Sequence, residues 1–371
     1  MTLYPNLILD ALKTVRYPGN GKSLAENHMI EDDIRIDGNK VSFSLIFDKQ
    51  TDPFIRSVVR ASEAAIASAI SPDVDVTIAV KTRTTAAAAK PEVLPGVKNI
   101  VGISSGKGGV GKSTVAANLA VALAAKGYKV GLLDADIFGP SMPKMFGVED
   151  EQLYMVKKEG RDWIEPIERY GVKMLSIGFL VDKEKPVLWR GGMASNALKQ
   201  LISDAWWGDL DYFLIDMPPG TSDIHLTLVQ TLPITGVVVV STPQEVALAD
   251  ARKGIAMFTG DAVNVPILGL VENMAWFTPA QHPDERYYIF GEGGAVRLAE
   301  EQGVKLLAQI PLVMDIRSHA DEGAPVALEL ETNPATASIE AQAFGTLANN
   351  VIAAVDERNA TLPPTSKVAM H

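Results

Sequence analysis

Between an apolar segment at residues 100–105 and an Ala/Leu-rich stretch stands Gly106-Lys107-Gly108-Gly109-Val110-Gly111-Lys112-Ser113, a full match to G-x-x-x-x-G-K-[ST]. No other feature limits the fold as much, because a loop of this kind joins a strand to a helix. Its glycines let backbone N–H groups turn inward on phosphate oxygens without Cβ clashes. The positive end of the following helix adds to the attraction for an anion. Lys112 is placed to reach the β- and γ-phosphates of a nucleotide, and Ser113 to set its hydroxyl on Mg²⁺, with Thr114 beside it. The loop is therefore expected to take ATP with Mg²⁺. A glycine-rich turn that merely joins strand to helix is the alternative, and the complete consensus in strand–loop–helix context stands against it. The helix is expected to end near Gly127, which suits a C-cap.

Downstream of residue 96, near-continuous apolar runs alternate with helical patterns: NIVGISS, VGLLDAD, VKMLSIG, YFLIDMP, GVVVVST and ILGLVEN. Such runs belong to a parallel sheet covered on both faces. The fold class is α/β, a doubly wound and mostly parallel P-loop NTPase sheet with a small N-terminal α/β domain. Ligands in these sheets sit at the carboxyl ends of the strands, and every motif named here falls at one. The ATPase domain is read over residues 97–360, with a flexible tail over 361–371. Residues 82–96 (TRTTAAAAKPEVLPG, with Gly96 last) lack periodic bulky residues and read as a linker. Residues 1–81 form the small unit. Its pattern predicts a helix at about 6–16, a strand near 29–36 and a strand at 41–47 entered through Asp37-Gly38-Asn39. A helix follows at about 53–70, with Pro53 in its first turn, and then a strand at 74–80.

The formal net charge is -11, which argues against binding of nucleic acid or anionic membrane by the surface as a whole. The chain contains no cysteine, so disulfides, thiolate zinc sites and thiolate-held iron–sulfur clusters within it are excluded. At the N-terminus Asp10 interrupts the apolar residues and no basic cluster precedes them. Ile8, Ala11, Leu12 and Val15 share one face, which describes an amphipathic helix and not a signal peptide. No apolar run approaches the roughly 20 residues that cross a bilayer. The expected location is the cytoplasm.

Asp134 and Asp136 close the VGLLDAD run and precede Ile137-Phe138-Gly139-Pro140-Ser141. Paired carboxylates at a strand end beside phosphates can hold Mg²⁺ through water and orient the attacking water. Either one alone could instead cap a helix, a reading that the pair with the motif after it disfavours. YFLIDMPPG sets Asp216 where a Walker B acid stands, aimed at Mg²⁺, and Gly220 where a switch loop would sense the γ-phosphate through its N–H.

Lys107, directly after the first glycine, is not needed by an ordinary phosphate loop. Here the chain resembles the deviant Walker A ATPases, the class of MinD, ParA and the nitrogenase iron protein, with the signature K-G-G-x-G-K-[ST]. The resemblance implies a homodimer in which Lys107 crosses to the partner's ATP and stabilises the transferred phosphoryl group. A solvated loop lysine is the plainer reading. The resemblance also matches Asp136 to the water-positioning residue and Asn273, in VENM, to the adenine-reading position. An Asn after a strand is otherwise a turn residue.

Within that class the chain is similar to the Mrp-type iron–sulfur cluster carrier ATPases. The residues that carry this are LLDADIFGPSMPKMFG, WRGGMASNALKQLI (from Trp189), YFLIDMPPGTSDIHLTLVQ, VENM, YIFGEGGA and IPLVMDIRSHADEGAPV, which span nearly all of residues 98–330. The N-terminal unit resembles the small domain fused to many such carriers, although residues 20–28 depart from the usual motif. The resemblance implies an ATP-hydrolysing carrier or assembly factor, with an iron–sulfur cluster as cargo and iron–sulfur assembly or client proteins as partners. Many members place a C-x-x-C pair before the F-G-x-G-G segment. Here that interval reads AWFTPAQHPDERYYI, with no thiol. His282, Asp284 and Glu285 are oxygen and nitrogen donors there, and a solvated polar loop is the better description. Two alternatives follow. One is a nucleotide-switched adaptor that holds no cluster. The other is a MinD- or ParA-like positioning ATPase, disfavoured by a tail with Pro363-Pro364 and by the acidic balance.

Overall fold

The computed structural model describes residues 4–31, 33–47, 52–82, 93–180, 191–279, 281–282 and 284–368. Trp189 and most of the 82–96 segment lie outside the described residues. The chain divides into two compact units, residues 1–91 and 92–371.

The small unit runs α1 (Pro5–Leu12), β1 (Arg35–Asp37), β2 (Lys40–Phe47), α2 (Ile55–Ala69) and β3 (Asp75–Thr82). β2 is central, antiparallel to β1 and parallel to β3. Its inward residues Val41, Phe43, Leu45 and Phe47 meet Ile8 and Leu12 of α1 and Val58 and Ile66 of α2 in one core. Three expectations shift. α1 stops at Leu12, because Arg16 leaves the helix to bridge Ser23. The strand expected at 29–36 survives as β1 and a single Ile30–Leu45 bridge. The cause is local: Asp33 Oδ1 accepts the Ser44 N–H at 2.9 Å, occupying a donor that a continuous ladder would use. Pro53 precedes α2 instead of entering it, and Asp52 accepts the Phe54 N–H at 2.8 Å.

The large unit continues with β4 (Val97–Ser105), α3 (Lys112–Ala125), β5 (Val130–Asp134), α4 (Met142–Met145), β6 (Tyr154–Lys158), β7 (Arg161–Glu165), β8 (Ile167–Arg169) and β9 (Val172–Ser176). Then come α5 (Gly191–Ser203), β10 (Leu210–Asp216), α6 (Asp223–Thr231), β11 (Gly236–Ser241), α7 (Glu245–Thr259), β12 (Ile267–Phe277), α8 (Gly294–Gln302) and β13 (Leu306–Leu312). The chain closes with α9 (Met314–Glu322), α10 (Glu329–Thr332) and α11 (Ile339–Thr361).

One sheet holds β13-β12-β11-β4-β10-β5-β9-β8, parallel throughout except for β8 at the edge. Successive side chains along each strand feed opposite cores. In β10, Tyr212 and Leu214 face α3 and α11, while Phe213 and Ile215 face α5, α6 and α7. This explains why the runs are apolar without alternation. α3 is buried around most of its circumference, as a helix sandwiched between sheet and α11 must be. The doubly wound, mostly parallel architecture expected from sequence is the architecture observed.

β13, β8 and the β6–β7 hairpin were not anticipated. β13 contains Gln309 and Pro311, and the other three are short and rich in charge. The tail differs too. Residues 362–368, expected to be disordered, return to the large unit: Thr365 Oγ1 donates to the Pro233 carbonyl at 3.0 Å and the Val368 N–H to Val229 at 3.1 Å.

Candidate nucleotide-binding site

The phosphate loop leaves β4 at Ser105 and enters α3 at Lys112, whose N-terminus carries no side-chain cap. Its first-turn N–H groups are left for an external acceptor. Two glycines are fixed by contact. A Cβ on Gly106 would stand 2.1 Å from the Asp250 backbone of α7. Gly111 has φ +81, and a Cβ there would stand 2.2 Å from Asn273 Nδ2. Asn273 in turn donates to the Val110 carbonyl at 2.8 Å, so β12 buttresses the loop from behind.

Strand register brings the acids together. Asp216 of β10 pairs alongside Asp134 of β5, which pairs alongside Ser176 of β9. Lys112, 5% exposed, places Nζ 2.5 Å from Asp216 Oδ1 and 3.5 Å from Asp136 Oδ2. A cleft of 250 Å³ opens in front, lined by Lys107, Gly108, Lys112, Ser113, Thr114 and Asp136 among others. Lys107 is half-buried there, and among the described residues its ammonium has no hydrogen-bond or ion-pair partner.

Asp134 does not reach this cleft. Its carboxylate is fully buried and accepts the N–H groups of Asp136 and Met142, each at 3.2 Å, and the Ser176 hydroxyl at 2.8 Å. Burial, reinforced by the nearby Asp216 charge, pushes its carboxyl up to about 7. This differs from the sequence expectation of a carboxylate on the metal: the structure shows a strand end tied to its own backbone. Burial also raises Asp216, opposed by the Lys112 ammonium and the Ser113 hydroxyl. Gly220, φ +75, directs its N–H to the Ser105 carbonyl at 2.8 Å and not into the cleft. Asn273 likewise spends its amide on the loop.

Asp136 Oδ1, Asp216 Oδ2 and Ser141 Oγ are buried oxygens without a hydrogen-bond partner. Orphaned hard oxygens beside the Ser113 hydroxyl fit Mg²⁺. Ser141 and Ser176 escaped the sequence reading, since a serine gives no signal until register places it. In the cysteine-free interval β12 runs on to Phe277, which bridges Tyr287. His282 is exposed, with Nδ1 3.2 Å from Glu285 Oε1. Among the described residues no group of three or more His, Asp or Glu side chains is arranged for a metal ion.

A glycine cradle, a buried lysine and strand-end acids at the centre of a parallel sheet define a P-loop NTPase. Residues 96–352 match the family model described as NUBPL iron-transfer P-loop NTPase, and residues 6–80 match that of an iron-sulfur cluster assembly protein. The chain belongs to the iron-transfer P-loop NTPase family and is an ATPase. It is 43% identical over 345 residues to an iron-sulfur cluster carrier protein of Synechocystis sp., covering 91% of this chain and 95% of that one. It is 49% identical to an Arabidopsis thaliana protein described as an iron-sulfur protein required for NADH dehydrogenase, mitochondrial, covering 71% of this chain and 81% of that one. Among solved structures, a nucleotide-binding protein of Archaeoglobus fulgidus in complex with ADP is 40% identical with a TM-score of 0.55, covering 62% of this chain and 89% of that one.

Proposed function

We propose that the chain is a cytoplasmic iron–sulfur cluster carrier or assembly ATPase whose bound nucleotide controls a homodimer. The observation that carries this reading is Lys107, a cation in the cleft with no partner among the described residues of its own chain. The loop N–H groups and Lys112 hold the phosphates. Ser113, Asp136 and Asp216 would hold Mg²⁺, which would neutralise charge on the phosphates when bound. Asp136 also orients the attacking water. Lys107 reaches the partner's nucleotide and meets the charge that develops there. Asp134 acts behind them, holding the Asp136 and Met142 N–H groups. Gly220 senses the γ-phosphate once its N–H leaves Ser105, and Asn273 sets the loop and borders the base. No helix among the described residues is long and apolar enough to cross a membrane. The cytoplasmic location is the expectation from sequence, whereas the plant relative is named mitochondrial.

Mixing decides the trans role. Lys107→Ala and Asp136→Ala subunits should each hydrolyse ATP about 100-fold slower than wild type, with affinity changed far less. Heterodimers of the two should recover part of the activity. No recovery in mixtures shown to contain heterodimers would remove Lys107 from the partner's site.

A second reading is favoured by the complete lack of cysteine. The residues present do not fit a thiolate-held cluster, so the chain acts as a nucleotide-switched adaptor while partners hold the cluster. Anaerobic reconstitution followed by iron and sulfide analysis should give no stoichiometric cluster. A stable brown species with matched iron and sulfide would overturn the adaptor reading.

A further inference from the structure

His225 is the one buried imidazole in the neighbourhood of the phosphate cleft among the described residues, and the roles above do not use it. It is 1% exposed and occupies the third position of α6, in a capping box with Ser222. The Ser222 N–H donates to His225 Nδ1 at 3.1 Å, while the His225 N–H donates to the Ser222 carbonyl at 3.0 Å. Nδ1 also stands 3.2 Å from the Ser222 hydroxyl and 3.3 Å from the Ser222 carbonyl, so three groups of one residue converge on it and the ring tautomer decides which of them it serves. Nε2 is buried and has no partner within hydrogen-bond distance. Phe258 of α7 holds the ring edge-on, with centroids 5.9 Å apart. Burial lowers the basicity of the ring, with the Lys112 charge adding to it, while the Ser222 backbone, the Pro218 backbone and Asp136 act against that.

The segment it touches is the loop between β10 and α6, residues 217–222. That loop starts at Asp216, which pairs with Lys112, and its next N–H, from Met217, donates to Ile103 at 3.0 Å. Midway, Pro219 lines the phosphate cleft and Gly220 holds Ser105. At its far end stands Ser222, held by His225. The two ends are thus fixed by an ion pair on one side and an imidazole on the other, and between them Pro219 borders the cleft.

We infer that His225 is a positioning residue for hydrolysis: its ring, through the Nδ1 contacts to Ser222, clamps the α6 end of the 217–222 loop, so that this end keeps its place when nucleotide draws Gly220 off Ser105. The role rests on the ATPase reading. It concerns placement of the loop in the reacting complex and not capture of ATP, so hydrolysis and affinity should separate. A small misplacement at a reacting centre costs rate far more than binding.

The test compares His225→Phe, which keeps the ring volume without nitrogen, with His225→Asn, whose Oδ1 stands where Nδ1 stood. ATP affinity is read by calorimetry and turnover by phosphate release, with wild type in parallel. His225→Phe should lower kcat about tenfold or more while affinity moves less than about threefold. His225→Asn should recover most of that loss. If His225→Phe does not fold, His225→Gln takes its place and should stay slow, since its amide lies beyond the Ser222 N–H. Wild-type kcat in the Phe or Gln variant, an Asn variant no faster than either, or an affinity loss equal to the kcat loss would each overturn the inference. A wild-type protein that releases no phosphate would fail the ATPase reading instead.

Discussion

Asp33 in the small unit and Asp134 in the large one each accept a serine hydroxyl and backbone N–H, yet their carboxyls shift in opposite directions. Ser44 gives Asp33 its hydroxyl at 2.6 Å, Lys81 adds an ammonium at 3.0 Å, and the carboxyl falls to about 2. Asp134 receives the Ser176 hydroxyl at 2.8 Å, but full burial beside Asp216 lifts it to about 7. The donors are alike, so desolvation and the sign of the neighbouring charge decide the outcome. A sheet with solvent on one face keeps a carboxylate wet and paired with an exposed cation. A sheet covered on both faces strips the water away, and its acids lean on a buried cation, which Lys112 supplies to Asp216 and Asp136.

The comparison breaks hardest at Lys112. Lys112→Ala should weaken ATP binding about 100-fold or more, because the phosphates lose a buried charge-assisted donor. It should also cost the large unit about 3 kcal/mol, since Asp216 and Asp136 are left buried without their cation. The amides of β2 and β3 should exchange at wild-type rates. Calorimetry reads the first effect and hydrogen exchange the others; unchanged affinity would remove Lys112 from the site.

Leu45→Ala sharpens the contrast from the other side. Leu45 is fully buried at the centre of the small core, and truncation should cost about 2–5 kcal/mol. A unit of this size has little stability to lose. Its strands should open to exchange while ATP affinity stays within about twofold, as expected for sites with separate cores. A parallel loss of ATP binding would show that the two units stabilise each other.

The two units were also unequally legible. The phosphate loop could be read because its chemistry constrains residue type at each position, and the central strands because burial on both faces leaves an unbroken apolar run. What failed shares another cause. Asp134 and Asp136 look equivalent in VGLLDAD, and only register beside Ser176 and the Met142 N–H turns one inward and leaves the other at the cleft. Asn273 and Gly220, expected at the adenine base and the γ-phosphate, give their donors here to backbone carbonyls that no sequence pattern announces. The strand expected at 29–36 was broken by Asp33, a side chain replacing a ladder bond. Residues 362–368 return through hydrogen bonds to the Pro233 and Val229 carbonyls, which apolar periodicity cannot register.

The smallest expected effect isolates Asp33. Its folded carboxyl titrates near 2 and the ordinary value is 3.8, so the unfolded chain takes up a proton first as pH falls. The stabilisation is therefore present in full above about pH 4 and drains away as pH drops toward 2. Because the site is about a third exposed, screening trims it to about 1 kcal/mol. Asp33→Asn keeps an acceptor for the Ser44 N–H but loses the charge facing Lys81. Its small unit should be weaker than wild type at pH 6, and the two should converge as pH falls to about 2. Hydrogen exchange of β2 amides, corrected for intrinsic rates, would follow this directly. The large unit should show no difference between the two proteins at any pH, since Asp33 belongs to the other core. A deficit that stays the same from pH 6 down to pH 2 would mean that the ionised carboxyl, held by the Ser44 hydroxyl first and the Lys81 ammonium after it, carries none of the stabilisation.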